Sequence, residues 1–253
     1  MRSSLLARRE AAPARGVRVG LLMLLVFLAA EVTWLLASVF LLVPFAANDP
    51  SLAEQQRLPI GPLVTLLVVP TLLAALIALA GTALLGGGSR EHRVRRELAI
   101  HWNLRDMGTG LLIGLGGLLI TVPAAALWAA WAGSDANSAV GEAFAGRQLA
   151  PGIAVAVFLG VWLLAPLGEE IVYRGVLWRA LEHWRWNRWL VFAVTTVVFS
   201  VAHLELLRTP LLLVISIPVG LARMFTGNVL ASVVAHQTNN FLPAISLLLA
   251  TTA

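Results

Sequence analysis

Two adjacent carboxylates, Glu169 and Glu170, and one guanidinium, Arg174, lie inside the apolar run Gly168-Glu169-Glu170-Ile171-Val172-Tyr173-Arg174-Gly175. A charge near the middle of a bilayer-spanning helix costs at least ~2.5 kcal/mol unless it is paired or hydrated. Glu170 and Arg174 are i, i+4 neighbours in the favourable order, so they can neutralise each other. Glu169 projects about 100° away around the helix and is left as the carboxylate free for acid–base work. A structural ion pair accounts for Glu170 and Arg174 but leaves Glu169 unexplained.

Two histidines follow on separate apolar segments, in Phe199-Ser200-Val201-Ala202-His203 and in His236-Gln237-Thr238-Asn239-Asn240. Helical spacing puts Phe199 and His203 on one face, and likewise His236 and Asn240. A single intramembrane histidine is commonly a satisfied interhelical hydrogen-bonder; two of them, with a free Glu and a stacked Asn, make a set. Segments 168–184 and 189–204 can form an antiparallel hairpin across Arg185 to Arg188. Glu169 and His203 then lie level, each ~25 Å from the turn. A second return through Thr209-Pro210 and then Gly227-Asn228 brings His236 back ~13 Å and Asn240 ~19 Å from the latter turn. Ordinary helices and short loops thus permit the four groups to meet.

Such a set has a definite chemistry. A Glu and a neutral His can share the deprotonation of a water, while a second His and an Asn amide supply donors to a developing oxyanion. The product is amide hydrolysis by activated water. Glu169, His203 and His236 are equally a donor set for zinc, although there is no HExxH helix. Cysteine is absent, which excludes a thiolate nucleophile, a Cys-based metal site and a disulfide framework.

The elements that must carry these groups are membrane helices. Of 253 residues, 59% are hydrophobic and 12% charged, whereas soluble domains run near 25% charged. At about 20 apolar residues per span, the composition predicts an all-α polytopic transmembrane bundle of roughly seven to eight helices. The spans fall at Val19 to Ala47, Ile60 to Leu85, Thr109 to Trp131, then Pro151 to about Pro166, Gly168 to Trp184, Trp189 to Leu204, Leu211 to Phe225 and Asn228 to the C-terminus. Glycine-rich and Ala/Leu-rich tracts are packing material, because small residues let helices approach closely in lipid.

All 18 basic residues are Arg, and the net charge is +5. They concentrate in the basic segment 1–18 (Arg2, Arg8, Arg9, Arg15, Arg18) and in the loop holding Arg90, Arg93, Arg95, Arg96 and Arg105, which places the N-terminus and that loop on the cytoplasmic side. The polar segments 48–57 and 133–148 fit outer loops. Nucleic acid is not an expected partner, since the charge sits between apolar spans. Glu31 interrupts the first span and is an intramembrane carboxylate, whose bland reading is a Glu tucked against a polar partner. The chain divides into the basic segment 1–18, membrane helices and loops over 19–149, and the motif-bearing core 150–253.

The order EExxxR, FxxxH and HxxxN on successive apolar helices resembles the signature of the CPBP family (CAAX-protease and bacteriocin-processing, Abi-type). Glu169, Glu170 and Arg174 match the first motif, Phe199 and His203 the second, and His236 and Asn240 the third. The resemblance covers roughly residues 150 to 245. It implies an intramembrane endopeptidase of glutamic type, in which Glu169 and His203 activate water and His236 and Asn240 serve the oxyanion. Glu170, Arg174 and Phe199 are then structural supports. It implies no cofactor, with zinc as the alternative, and a peptide or membrane-protein substrate met in the lipid bilayer, in a bacterial cell membrane. Whether the substrate is prenylated does not carry over. A non-catalytic immunity or scaffold protein and a transporter are the competing readings; the clustering of polar groups in one third of the chain, without inverted repeats, counts against transport.

Overall fold

The computed structural model describes residues 13–49, 58–133 and 138–252. The Arg-rich start up to residue 12, parts of the two polar loops at 50–57 and 134–137, and residue 253 lie outside the described residues. Seven long helices are present among those described: α1 (Pro13–Phe40), α2 (Ile60–Leu85), α3 (Leu104–Ala132), α4 (Pro151–His183), α5 (Arg188–Ala202), α6 (Thr209–Thr226) and α7 (Val229–Thr252). Short helices at Val43–Asn48, Arg93–Glu97 and Ala139–Phe144 lie in the connections. There is no strand among the described residues. Five helical segments, Gly16–Asn48, α2, α3, α4 and α6, are long and apolar enough to cross a membrane, and α5 is a shorter apolar helix. The lipid-facing character is visible in the side chains left outside, among them Leu25, Leu76, Leu119 and Leu127, a density of exposed apolar surface that a water-soluble monomer does not carry. The chain is therefore an integral, multi-pass membrane protein.

One expected boundary differs. Helix α1 ends at Phe40, and after a turn at Leu41 and Leu42 the short helix Val43–Asn48 continues the first apolar span to Asn48, as expected. The segments expected to separate near Pro166 and Gly168 are one continuous helix, α4. Pro166 lacks an N–H and cannot make the bond to the preceding turn. The helix survives because it widens to π geometry over Gly160–Leu164, just before the proline, and again over Ile171–Leu177. Backbone carbonyls loosened in this way must find donors, since no water is available in hydrocarbon.

Glycines bring the helices into contact where the site needs them. A Cβ at Gly110 would lie 2.2 Å from the Ala231 carbonyl oxygen, one at Gly114 2.9 Å from Thr238 Cβ, and one at Gly117 2.7 Å from Pro218. This stripe of α3 therefore receives α7 and α6 at backbone distance. Gly168, next to Glu169, meets Thr71 of α2 in the same way, at 2.7 Å. The α4–α5 turn closes with Asn187 as N-cap, its side chain accepting from Leu190 N at 2.9 Å. At the α6–α7 turn Gly227 takes φ +69°, a left-handed helix cap that glycine adopts without strain.

At the end of α4 a polar cluster ties down the loop after α2. Buried Glu97 accepts from Arg179 Nε at 3.2 Å and from His183 Nε2 at 2.8 Å. Glu182 pairs with Arg179 at 3.2 Å and accepts from Trp178 Nε1 at 2.8 Å. Burial pushes the Glu97 carboxyl upward, but the hydrogen bond from His183 and the charge of Arg179 prevail and hold it below its ordinary value.

Candidate active site

Adjacent positions on α4 put Glu169 and Glu170 in different surroundings. The side chains of Glu170 and Arg174 are both 0% exposed, with Arg174 Nη1 donating to Glu170 Oε1 at 3.0 Å. Glu169 retains 23% of its side-chain surface. The helical phase that carries Glu170 into the core thus leaves its neighbour at the rim of the bundle.

His236, on α7, meets both carboxylates. Its Nδ1 lies 2.8 Å from Glu170 Oε1 and its Nε2 3.8 Å from Glu169 Oε2. A carboxylate accepts, so Nδ1–H donates to Glu170, and in the neutral ring Nε2 carries the lone pair. Glu170 Oε1 is thereby fully engaged, by a guanidinium and an imidazole. His203 caps α5, and its Nδ1 lies 2.8 Å from the Phe199 carbonyl oxygen. The same reasoning places its lone pair on Nε2.

Phe199 links the two histidines. Its ring centroid is 4.6 Å from that of His203 and 5.7 Å from that of His236, and Arg174 Cζ lies 4.4 Å over its face. The guanidinium, two of whose nitrogens have no protein hydrogen-bond partner, is therefore stabilised by the aromatic face. Within 4 Å the imidazole that Glu169 meets is that of His236, and His203 packs against the same Phe199 ring as His236. Asn240, one turn beyond His236, donates from Nδ2 to the Val161 carbonyl at 3.2 Å.

Sequence reasoning missed the donors that serve the π segments. Asn240 and Gln237 reach the carbonyls of Val161 and Leu163 in the first, and Arg223 Nε donates to the Arg174 carbonyl in the second at 3.0 Å. Pro166 inside an apolar run was the available signal, because a proline there requires local irregularity that neighbouring polar side chains must satisfy. Tyr173 was also passed over, although it stacks edge-on against Phe199 at 5.2 Å and Phe27 at 5.6 Å.

Glu169 and His236 present acceptors towards one space, and His203 contacts Phe199 through its Nδ1 and its ring. Among the described residues no three His, Asp or Glu side chains converge closely enough to hold a metal ion. As arranged, Glu169, His203 and His236 do not form a zinc site.

Residues 151–242 match the family described as type II CAAX prenyl endopeptidase Rce1-like. An Escherichia coli relative, described as an uncharacterized 24.3 kDa protein, is 29% identical over 87 residues, covering 33% of this chain and 40% of the relative. The chain thus spans well under half the length of the curated relative it matches. No solved structure matches.

Proposed function

With residues 151–242 matching the Rce1-like type II CAAX prenyl endopeptidase family, we propose that this protein hydrolyses a peptide bond with a water activated by Glu169 and a histidine. The observation that carries the reading is the contrast within the Glu169–Glu170 pair. One carboxylate is sealed in an ion pair; the other is accessible and faces an imidazole lone pair. Two acceptors 3.8 Å apart are too far for a direct hydrogen bond and suited to sharing a donor between them, which a water provides.

In the proposed reaction Glu169 takes a proton from water as the oxygen attacks the substrate carbonyl, and the proton passes to the departing amine. His236 is the imidazole best placed to assist, because Glu170, itself paired with Arg174, holds its ring through Nδ1. The pairing proposed is Glu169 with His236, whose Nε2 lies 3.8 Å from Glu169 Oε2, in place of the Glu169–His203 pairing that the family resemblance implies. With Nδ1–H committed to the Phe199 carbonyl, neutral His203 offers an acceptor to the same region, and it becomes an oxyanion donor once protonated. The remaining N–H of the Asn240 amide is a second donor to the oxyanion. The substrate is proposed to be a peptide or membrane protein segment entering from the lipid, at a bacterial cell membrane with the N-terminus cytoplasmic.

The test is a cleavage assay of purified protein in lipid nanodiscs. An internally quenched peptide is offered with and without a farnesylated C-terminal Cys-containing motif, in the presence and absence of chelator. Wild type is expected to cleave, and Glu169→Gln, His236→Ala and His203→Ala to be inactive yet folded. Retention of most activity by Glu169→Gln would reject the assignment. One equivalent of zinc that tracks activity through chelation and reloading would replace the metal-free mechanism while leaving the peptidase reading standing.

A further inference from the structure

The match to the endopeptidase family begins at residue 151, yet α1 delivers a third carboxylate to the same place. Helices α1 and α4 run antiparallel in a register that can be followed contact by contact. A Cβ on Gly16 would meet the His183 carbonyl at 3.2 Å, and one on Gly20 the Ala180 carbonyl at 3.0 Å and the Trp184 ring at 2.5 Å. Further along, Phe27 stacks edge-on against Tyr173 at 5.6 Å. Advancing one helical turn on α1 and receding one turn on α4 sets Glu31 opposite Glu169.

The side chains agree with this register. Glu31 is half-buried; its carboxylate faces the Tyr173 hydroxyl within reach of a hydrogen bond and lies within electrostatic reach of Glu169. Since a carboxylate accepts, the phenol donates. Tyr173 in turn stacks on Phe199, the ring shared by His203 and His236. An unbroken set of contacts therefore runs from Glu31 through Tyr173 and Phe199 to both histidines, and a second, electrostatic one runs from Glu31 to Glu169.

We propose that Glu31 is a positioning residue of the active site: it anchors the Tyr173 hydroxyl, and its negative charge on the α1 side turns Glu169 towards His236. The role rests on the peptidase reading, whereas the contact itself does not. Two carboxylates on facing helices repel most strongly in a low-dielectric setting, and Glu169 Oε2 lies 3.8 Å from His236 Nε2 on α7. The hydrogen bond from Tyr173 gives Glu31 the polar partner that an intramembrane carboxylate requires.

Tyr173 is the single tyrosine of the chain, so its hydroxyl has a spectroscopic signature of its own. Protein labelled with 13C at the tyrosine Cζ should give one resonance in nanodiscs, abolished by Tyr173→Phe. Glu31→Ala should move that resonance towards the value of free tyrosine. Glu31→Gln keeps an acceptor for the phenol but removes the charge; with the quenched peptide it should lower kcat roughly tenfold or more, as expected for a misplaced catalytic group, at unchanged KM. Glu31→Asp should recover most of the loss. An unmoved resonance in folded Glu31→Ala overturns the inference whether or not any peptide is cleaved. A moved resonance with wild-type kcat in Glu31→Gln overturns the positioning role. A moved resonance in wild-type protein that cleaves neither peptide retains the contact, rejects the peptidase reading and removes the positioning role with it.

Discussion

His236 on α7 is held by Glu170 on α4 through an Nδ1 contact of 2.8 Å, on the same carboxylate oxygen that receives Arg174. One buried carboxylate thereby fixes a cation on its own helix and an imidazole on another. The arrangement orients His236 so that Nε2 faces Glu169. The ion pair inferred from i, i+4 spacing is present, but it also clamps the site.

Glu170→Gln is expected to destabilise the protein far more than Glu169→Gln. Removing one partner of a fully buried pair leaves an uncompensated charge and costs about 3–5 kcal/mol; here it also releases His236. Thermal unfolding in detergent, followed by circular dichroism, reads the difference. Equal melting temperatures for the two variants would show that the Glu170 clamp contributes nothing.

Asn240→Ala should lower turnover by about 10²- to 10³-fold, the usual loss for one oxyanion donor. The residue also donates to the Val161 carbonyl, so a control is needed. Gln237→Ala removes a comparable contact to the Leu163 carbonyl and should reduce stability without a matching loss in kcat. If both variants lose turnover equally, Asn240 serves the π segment and not the reaction.

Glu97 should make the protein acid-sensitive. Its folded-state proton affinity is lowered by His183 and Arg179 against the opposing effect of burial. The contribution to stability is therefore fully present above the ordinary value of 4.5 and is lost as pH falls through the lower folded value. Melting temperatures measured from pH 7 downward should fall more steeply for wild type than for Glu97→Gln. Parallel curves would remove Glu97 from the acid response.

Gly114→Leu should dislodge α7 from α3. A Cβ alone already meets Thr238 at 2.9 Å and the Ala235 backbone at 3.1 Å. Overpacking of this kind costs about 1–3 kcal/mol, and the displacement moves His236 with its helix. Reduced kcat in a protein of nearly wild-type helicity is expected, whereas Gly116→Leu, which has open space, should be tolerated.

Composition and run length together decided the all-α membrane architecture, because 59% hydrophobic residues point to lipid as solvent, lipid admits only helices and closed barrels, and continuous apolar runs of about 20 residues are helical. Local spacing decided the Glu170–Arg174 pair, since residues four apart in a helix must be neighbours. Loop lengths brought His203, His236 and Glu169 to similar depths. What depth does not specify is rotation about each helix axis, and that only packing could settle. The glycine contacts of Gly110 and Gly114 with α7, and of Gly168 with α2, set the phase at which His236 meets Glu170 and the Phe199 ring that also contacts His203. The π turns of α4 were likewise beyond reach, because their carbonyls are stabilised by Arg223, Gln237 and Asn240 from other helices. Glu31 was visible as a solitary charge in a long apolar run, but its partners Tyr173 and Glu169 lie on another helix, across an interface whose register exists only in the folded bundle.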